Sequence, residues 1–147
     1  DYDQILWENI RLSANKKEFN HKIYASDIDG SSLLNAQTNA RRALVFNKIT
    51  FAKSDFRDLE IPLENATIII NPPYGERLYE ENLNGLYAMI GERLKHHFTG
   101  NSAWILSSAI ESMKHVGLKT SAKLELFNGS LKCKYNNYRL FKGKFRD

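Results

Sequence analysis

Apolar residues recur at helical spacing near the start of the chain, where Ile5, Leu6, Trp7, Ile10 and Leu12 predict a helix that gives way to the polar stretch from Ser13 to Glu18. The run Ile23-Tyr24-Ala25 predicts a short strand ending at Ser26-Asp27-Ile28-Asp29-Gly30. After it, Leu33, Leu34, Ala36, Ala40, Ala43 and Leu44 mark a second helix. Strand and helix keep alternating: Lys48 to Ala52 is a second strand, Ile68 to Ile70 a third, Leu83 to Phe98 a helix and Ala103 to Ser107 a fourth strand. Such alternation builds parallel βαβ units. The end breaks the rhythm. Lys123 to Phe127 and Leu131 to Leu140 flank Asn128-Gly129, a strong hairpin signal, so the last two strands are expected to run antiparallel. The expected fold class is α/β, a mostly parallel sheet with a C-terminal antiparallel hairpin, in a single domain covering residues 1–147.

The tetrapeptide Asn71-Pro72-Pro73-Tyr74 stands directly after the apolar run Ala66-Thr67-Ile68-Ile69-Ile70. Proline cannot continue a central ladder, so the strand stops there and presents Asn71 at its carboxyl end, where open α/β sheets bind ligands. Consecutive prolines fix two φ angles and remove two backbone donors, which makes the turn stiff and leaves its carbonyls dominant. As loop punctuation alone, Asn, Pro and Gly would also make an ordinary surface turn. The tetrapeptide resembles the active-site motif of amino-group methyltransferases. The longer string Asn71-Pro72-Pro73-Tyr74-Gly75-Glu76-Arg77-Leu78 resembles the extended motif of a family of ribosomal RNA guanine-N2 methyltransferases. The four-residue core is shared by enzymes acting on adenine N6, cytosine N4, guanine N2 and glutamine amides, so it speaks to chemistry before substrate. Gly75-Glu76-Arg77 narrows the choice.

These residue types suit that chemistry. The lone pair of an exocyclic amino group is delocalised into the ring, so acceptors must pull on its hydrogens. The Asn71 side-chain oxygen and the Pro72 carbonyl can take both N–H bonds and aim the lone pair at an electrophilic methyl group. Tyr74 can stack on the base, an interaction worth about 1–3 kcal/mol, without its hydroxyl entering the reaction. The resemblance thus implies Asn71, Pro72, Pro73 and Tyr74 as catalytic, and Tyr74, Gly75 and Arg77 as substrate-binding. An ion pair between Arg77 and Glu76 is the structural alternative for that arginine.

The strand pattern also resembles the class I, Rossmann-like S-adenosylmethionine-dependent methyltransferase fold, and that resemblance implies S-adenosyl-L-methionine as cofactor. Asp27 follows the first strand, where the family carries a carboxylate that accepts the two ribose hydroxyls. Ile28 and Asp29 adjoin it. Asp55 and Phe56 follow the next strand, where an acidic acceptor and a backbone donor hold the adenine, and Asn71 borders the cofactor as well. An N-cap role is the stronger alternative for Asp29, and an Asx-turn is the alternative for Asp55. The resemblance extends through Leu126-Phe127-Asn128-Gly129-Ser130-Leu131-Lys132-Cys133 and covers nearly the whole chain. One feature departs from it, because no Gly-x-Gly occurs anywhere. The chain therefore resembles the C-terminal portion of a catalytic domain, lacking the first strand and glycine-rich loop, and is expected to be inactive alone. An upstream RNA-binding module is expected in the full-length protein.

Composition adds bounds. A chain of 147 residues can bury a core without staples, and its single cysteine, Cys133, leaves no disulfide or multi-cysteine zinc site. The four histidines, including the adjacent His96-His97, lack metal-ligand spacing, so no metal is expected. No stretch of eighteen apolar residues occurs, which argues against a membrane span and fits a cytoplasmic protein. A formal charge of +4 is a mild bias towards a polyanion. Lys95, Lys119, Arg139 and the other basic residues are read mainly as a solvated surface, with ribosomal RNA the expected partner. Two other readings stay open: an adenine-N6 DNA or transfer-RNA guanine-N2 methyltransferase, and a non-catalytic RNA-binding scaffold.

Overall fold

The computed structural model describes residues 3–13, 19–60, 64–74 and 80–141. They fall into two compact units, Asp1–Lys53 and Ser54–Asp147.

The first unit opens with helix α1 (Gln4–Ser13), started by Asp3, whose carboxylate accepts the Leu6 N–H at 2.9 Å. Its apolar stripe is real but uncovered: Ile5, Trp7, Ile10 and Leu12 are all more than half exposed. Strand β1 (Ile23–Asp27), helix α2 (Gly30–Arg42) and strand β2 (Ile49–Lys53) form one parallel βαβ unit, with Ile23 opposite Ile49 and Asp27 opposite Lys53. The predicted second helix stops short of Ala43 and Leu44. Leu44 takes a left-handed φ of 59°, its N–H donating to the Arg41 carbonyl while that of Val45 reaches the Ala40 carbonyl. This is a Schellman cap with leucine where glycine is usual. The chain then turns through a short 3-10 helix, Phe46–Lys48. Phe46 lies between Arg41, 4.1 Å from its centroid, and the stacked Phe51.

The second unit holds a four-stranded sheet of β3 (Thr67–Ile70), β4 (Ser102–Ser107), β5 (Ala122–Asn128) and β6 (Leu131–Arg139), in the order β3-β4-β6-β5. β3 and β4 pair in parallel, while β6 runs antiparallel to both β4 and β5. Three strands therefore share one direction and only β6 opposes them, as expected for a mostly parallel α/β sheet ending in a hairpin. Helix α3 (Glu80–His97) covers one face through Leu83, Tyr87, Ile90 and Leu94, spaced to form a single stripe. That stripe meets Ala103 and Ile105 of β4, Tyr138 of β6, and Met113 and Val116 of a second 3-10 helix, Ser112–Val116. Close approach is possible only because Gly91 has no side chain: a Cβ there would lie 1.9 Å from the Val116 carbonyl oxygen. Asn101 stitches the base of the sheet. Its Oδ1 accepts the Ala66 N–H at 2.8 Å and its Nδ2 donates to the Phe98 carbonyl at 3.0 Å. Cys133 is buried and free.

The antiparallel hairpin forms at the expected place, with β5 reaching one residue past Phe127. Asn128 pairs with Leu131 as the last strand residue, leaving Gly129 and Ser130 as the two-residue turn. Gly129 has φ +60° and Ser130 does not share the positive value, the pattern of a type II′ turn with glycine first.

Candidate functional site

Strand β3 is parallel to β4, and its carboxyl end delivers Asn71 to the surface of the second unit. The two sides of the strand explain how the loop is held. Ile68 and Ile70 pack on the core under α3, whereas Ile69 points away and is 70% exposed. Pro72 is buried, Asn71 and Pro73 are exposed, and Tyr74 is half-buried. The buried proline ring acts as a peg that leaves the asparagine amide facing solvent. Among the described residues that amide has no hydrogen-bond partner. Tyr74 is anchored differently: Asn128 of β5 donates through Nδ2 to its hydroxyl at 2.8 Å.

Beside this loop, the carboxyl end of β4 is built from Ser107, which is fully buried. Its Oγ accepts the Ala109 N–H at 2.9 Å and shares a hydrogen bond with the Tyr87 hydroxyl at 2.5 Å. Burial pushes the Tyr87 phenol up; the Ser107 bond opposes that shift and the neighbouring Tyr74 adds to it. Tyr87 therefore stays neutral and serves as a structural post, tying α3 to the end of β4.

The carboxylates expected at strand ends all sit in turns. In the first unit, Asp27 is the last residue of β1 and is exposed, with Oδ1 accepting the Asp29 N–H at 2.8 Å. Ile28 is 62% exposed. Asp29 is the N-cap of α2: its oxygens accept from the backbone N–H groups of Ser31 and Ser32 and from both serine hydroxyls. Those hydrogen bonds, the serine hydroxyls foremost, hold its carboxyl well below the usual carboxylate range. In the second unit, Asp55 forms an Asx-turn with the Arg57 N–H at 2.9 Å and meets the Arg57 Nε at 3.5 Å. The Phe56 ring stacks on Phe98 at 5.7 Å and packs on the same core as Ile68 and Ile70. Gly75 and Arg77 lie outside the described residues, as do Glu76 and Leu78.

Several supporting residues have no signal in the sequence. Arg93, on α3, donates to the Leu59 carbonyl at 2.6 Å and to Glu60 at 3.2 Å, holding the segment that carries Asp55 and Phe56 against the helix. Asn128 stands in the sequence as a hairpin residue within the family-like tail, and its reach across 54 positions to Tyr74 follows from strand pairing that local pattern does not encode. At the other end of the sheet, where β4 begins and β6 ends, Lys95, Lys119 and Arg139 border a cleft of about 470 Å³ with Leu118, Thr120, Ser121, Leu140 and Phe141. His96 pairs with Glu92 and His97 with Glu60. Among the described residues no three His, Cys, Asp or Glu side chains cluster to hold a metal ion, and no helix is long and apolar enough to cross a membrane.

Comparison with known proteins places this geometry in context. A family model described as the RMKL-like methyltransferase domain matches residues 5–137. The ribosomal RNA large subunit methyltransferase K/L of Shewanella amazonensis is 35% identical over 146 residues, covering 95% of this chain and 21% of its own length. A solved protein assigned as a methyltransferase, complexed with SAH, superposes with a TM-score of 0.79 at 27% identity over 97% of this chain and 39% of its own. A possible methylase from Clostridium difficile 630 superposes with a TM-score of 0.77 at 31% identity, covering 98% of this chain and 39% of its own. The chain thus spans well under half the length of these relatives.

Proposed function

The chain belongs to the RMKL-like methyltransferase domain family, and on that premise we propose that it serves methyl transfer from S-adenosyl-L-methionine to an exocyclic amino group, guanine N2 of large-subunit ribosomal RNA. The observation that carries this reading is the Asn71 amide, exposed at the carboxyl end of β3 on a loop pegged by the buried Pro72. Its support from relatives is the name of the Shewanella amazonensis protein and the SAH in the structural relative.

Each unit offers groups whose chemistry suits one part of the cofactor. Asp27 offers an exposed carboxylate on the last residue of a parallel strand, where a ribose diol is accepted in open α/β sheets. Asp29, with its oxygens already taken by four donors, orients the Asp27 turn and starts α2. Asp55 and the Phe56 backbone follow β2 and suit an adenine edge. S-adenosyl-L-methionine supplies a methyl group made electrophilic by its sulfonium. With that group bound, the Asn71 oxygen and the Pro72 carbonyl would accept hydrogen bonds from the two amino N–H groups, one of which gives up its proton to solvent as the nitrogen gains the methyl, and Tyr74 would stack on the base. Arg77, three residues further on, is assigned to the RNA backbone. The prolines contribute stiffness, so these acceptors are in place before the base arrives.

In a complete enzyme carrying this chain, Asn71→Ala should lower kcat by about 100-fold or more while leaving cofactor affinity less affected. Unchanged turnover would sink the assignment. Nucleoside analysis of the methylated RNA separates guanine N2 from adenine N6 as the acceptor.

A further inference from the structure

We propose that Asn128, the last strand residue before the β5–β6 turn, is a positioning residue for Tyr74 and thereby sets how firmly the site holds its base. The inference rests on the methyl-transfer reading for its functional meaning and on contact geometry for its physical one.

The loop needs an outside hold. Pro72 and Pro73 cannot donate backbone hydrogen bonds, and among the described residues the backbone of 71–74 makes none outside the strand. The buried Pro72 pegs the near end, but the tyrosine lies two residues beyond that peg. Its hydroxyl is met by the Asn128 amide at 2.8 Å. The register makes that amide available. Were Asn128 and Gly129 the two central turn residues, Asn128 would adopt a left-handed φ and its side chain would lie over the turn. Instead Gly129 and Ser130 make the turn, and Asn128 stays paired with Leu131 on the ladder, its side chain projecting from a rigid strand. Tyr74 is therefore held from both sides, through two stiff prolines back to the buried Pro72 and through its hydroxyl on the hairpin. A ring held this way loses less freedom when a base stacks on it, and the benefit falls on substrate capture.

The test is a double-mutant cycle in a complete enzyme, using Asn128→Leu, Tyr74→Phe and both together, with methyl transfer to protein-free large-subunit ribosomal RNA as the readout. Asn128→Leu should raise KM for RNA about tenfold, with kcat and S-adenosyl-L-methionine affinity changed less, and the double variant should be no worse than either single one. Asn128→Asp should recover most of the loss, because the Tyr74 hydroxyl can donate to a carboxylate. Additive losses in the double variant overturn the proposal. A second measurement needs no activity: in the 147-residue chain, with labelled tyrosine rings, Asn128→Leu should sharpen the NMR signal of Tyr74 and leave those of Tyr87 and Tyr138 in place. An unmoved Tyr74 signal also overturns it. If the wild-type enzyme transfers no methyl group while Tyr74 still responds, the methyl-transfer reading falls and the hold by Asn128 stands.

Discussion

Asp29 gathers four donors on one carboxylate, and the consequence is a pH dependence whose direction can be worked out. Serine hydroxyls and backbone N–H groups favour the ionised form, so the folded carboxyl titrates below its ordinary value of 3.8. The stability this gives is complete above that ordinary value and is lost as pH falls through it towards the depressed folded one. Asp29→Asn keeps a capping oxygen and removes the charge. The wild-type chain should therefore have the higher thermal midpoint at neutral pH, with the gap closing in acid; a gap that ignores pH would count against the argument. At this scale much of the site is readable from letters alone. Asn71 and the prolines announce themselves because strand termination and stiff carbonyls are local properties, and the cap at Asp29 follows from the serines after it. Ser107, Arg93 and Asn101 do not, because each owes its place to partners about 20 to 35 positions away.

The elements show which parts of the pattern are cheap to change. Helix α3 carries two glycines with opposite surroundings. Among the described residues nothing lies within 4 Å of a Cβ added at Gly85, whereas at Gly91 that atom would collide with the Val116 backbone. Gly85→Ala should stabilise the chain by about 1 kcal/mol through helix propensity. Gly91→Ala should cost roughly 1–3 kcal/mol by forcing the Ser112–Val116 turn away from the helix. Urea unfolding of the two variants checks the pair, and equal shifts would contradict the packing described. Helices and strands were legible here from periodicity, but their ends moved where caps decided them. α2 ends early because Leu44 adopts the left-handed conformation, a strain of about 1–2 kcal/mol that periodicity does not register. Strand β5 runs one residue past Phe127 because glycine takes the first turn position and leaves Asn128 on the ladder.

Across the whole molecule, burial is uneven. The clustered core, from Leu83 to Leu140, belongs entirely to the second unit, while the first contributes only Ala40 to the buried apolar residues described. Amide hydrogen exchange should therefore be slowest in β4, β6 and the middle of α3 and faster throughout α1, β1 and β2. Equal protection in the two units would show that stability is shared in a way burial does not reveal. The α/β class and the terminal hairpin were visible in the order of predicted elements. The unequal division of the core was not, since an apolar stripe such as that of α1 reads the same whether or not it is covered.

The bond between Asn128 and Tyr74 also has a meaning in time. It closes a span of 54 residues that contains α3, β4 and β5. Contacts of such separation cost the most chain entropy and form after local structure is in place. During refolding, the local helical signal would return first, and competence of the loop would wait on the same long-range pairing that closes the core around Leu83, Tyr87 and Tyr138. In that sense a single amide at the tip of a hairpin reports whether the molecule has finished folding.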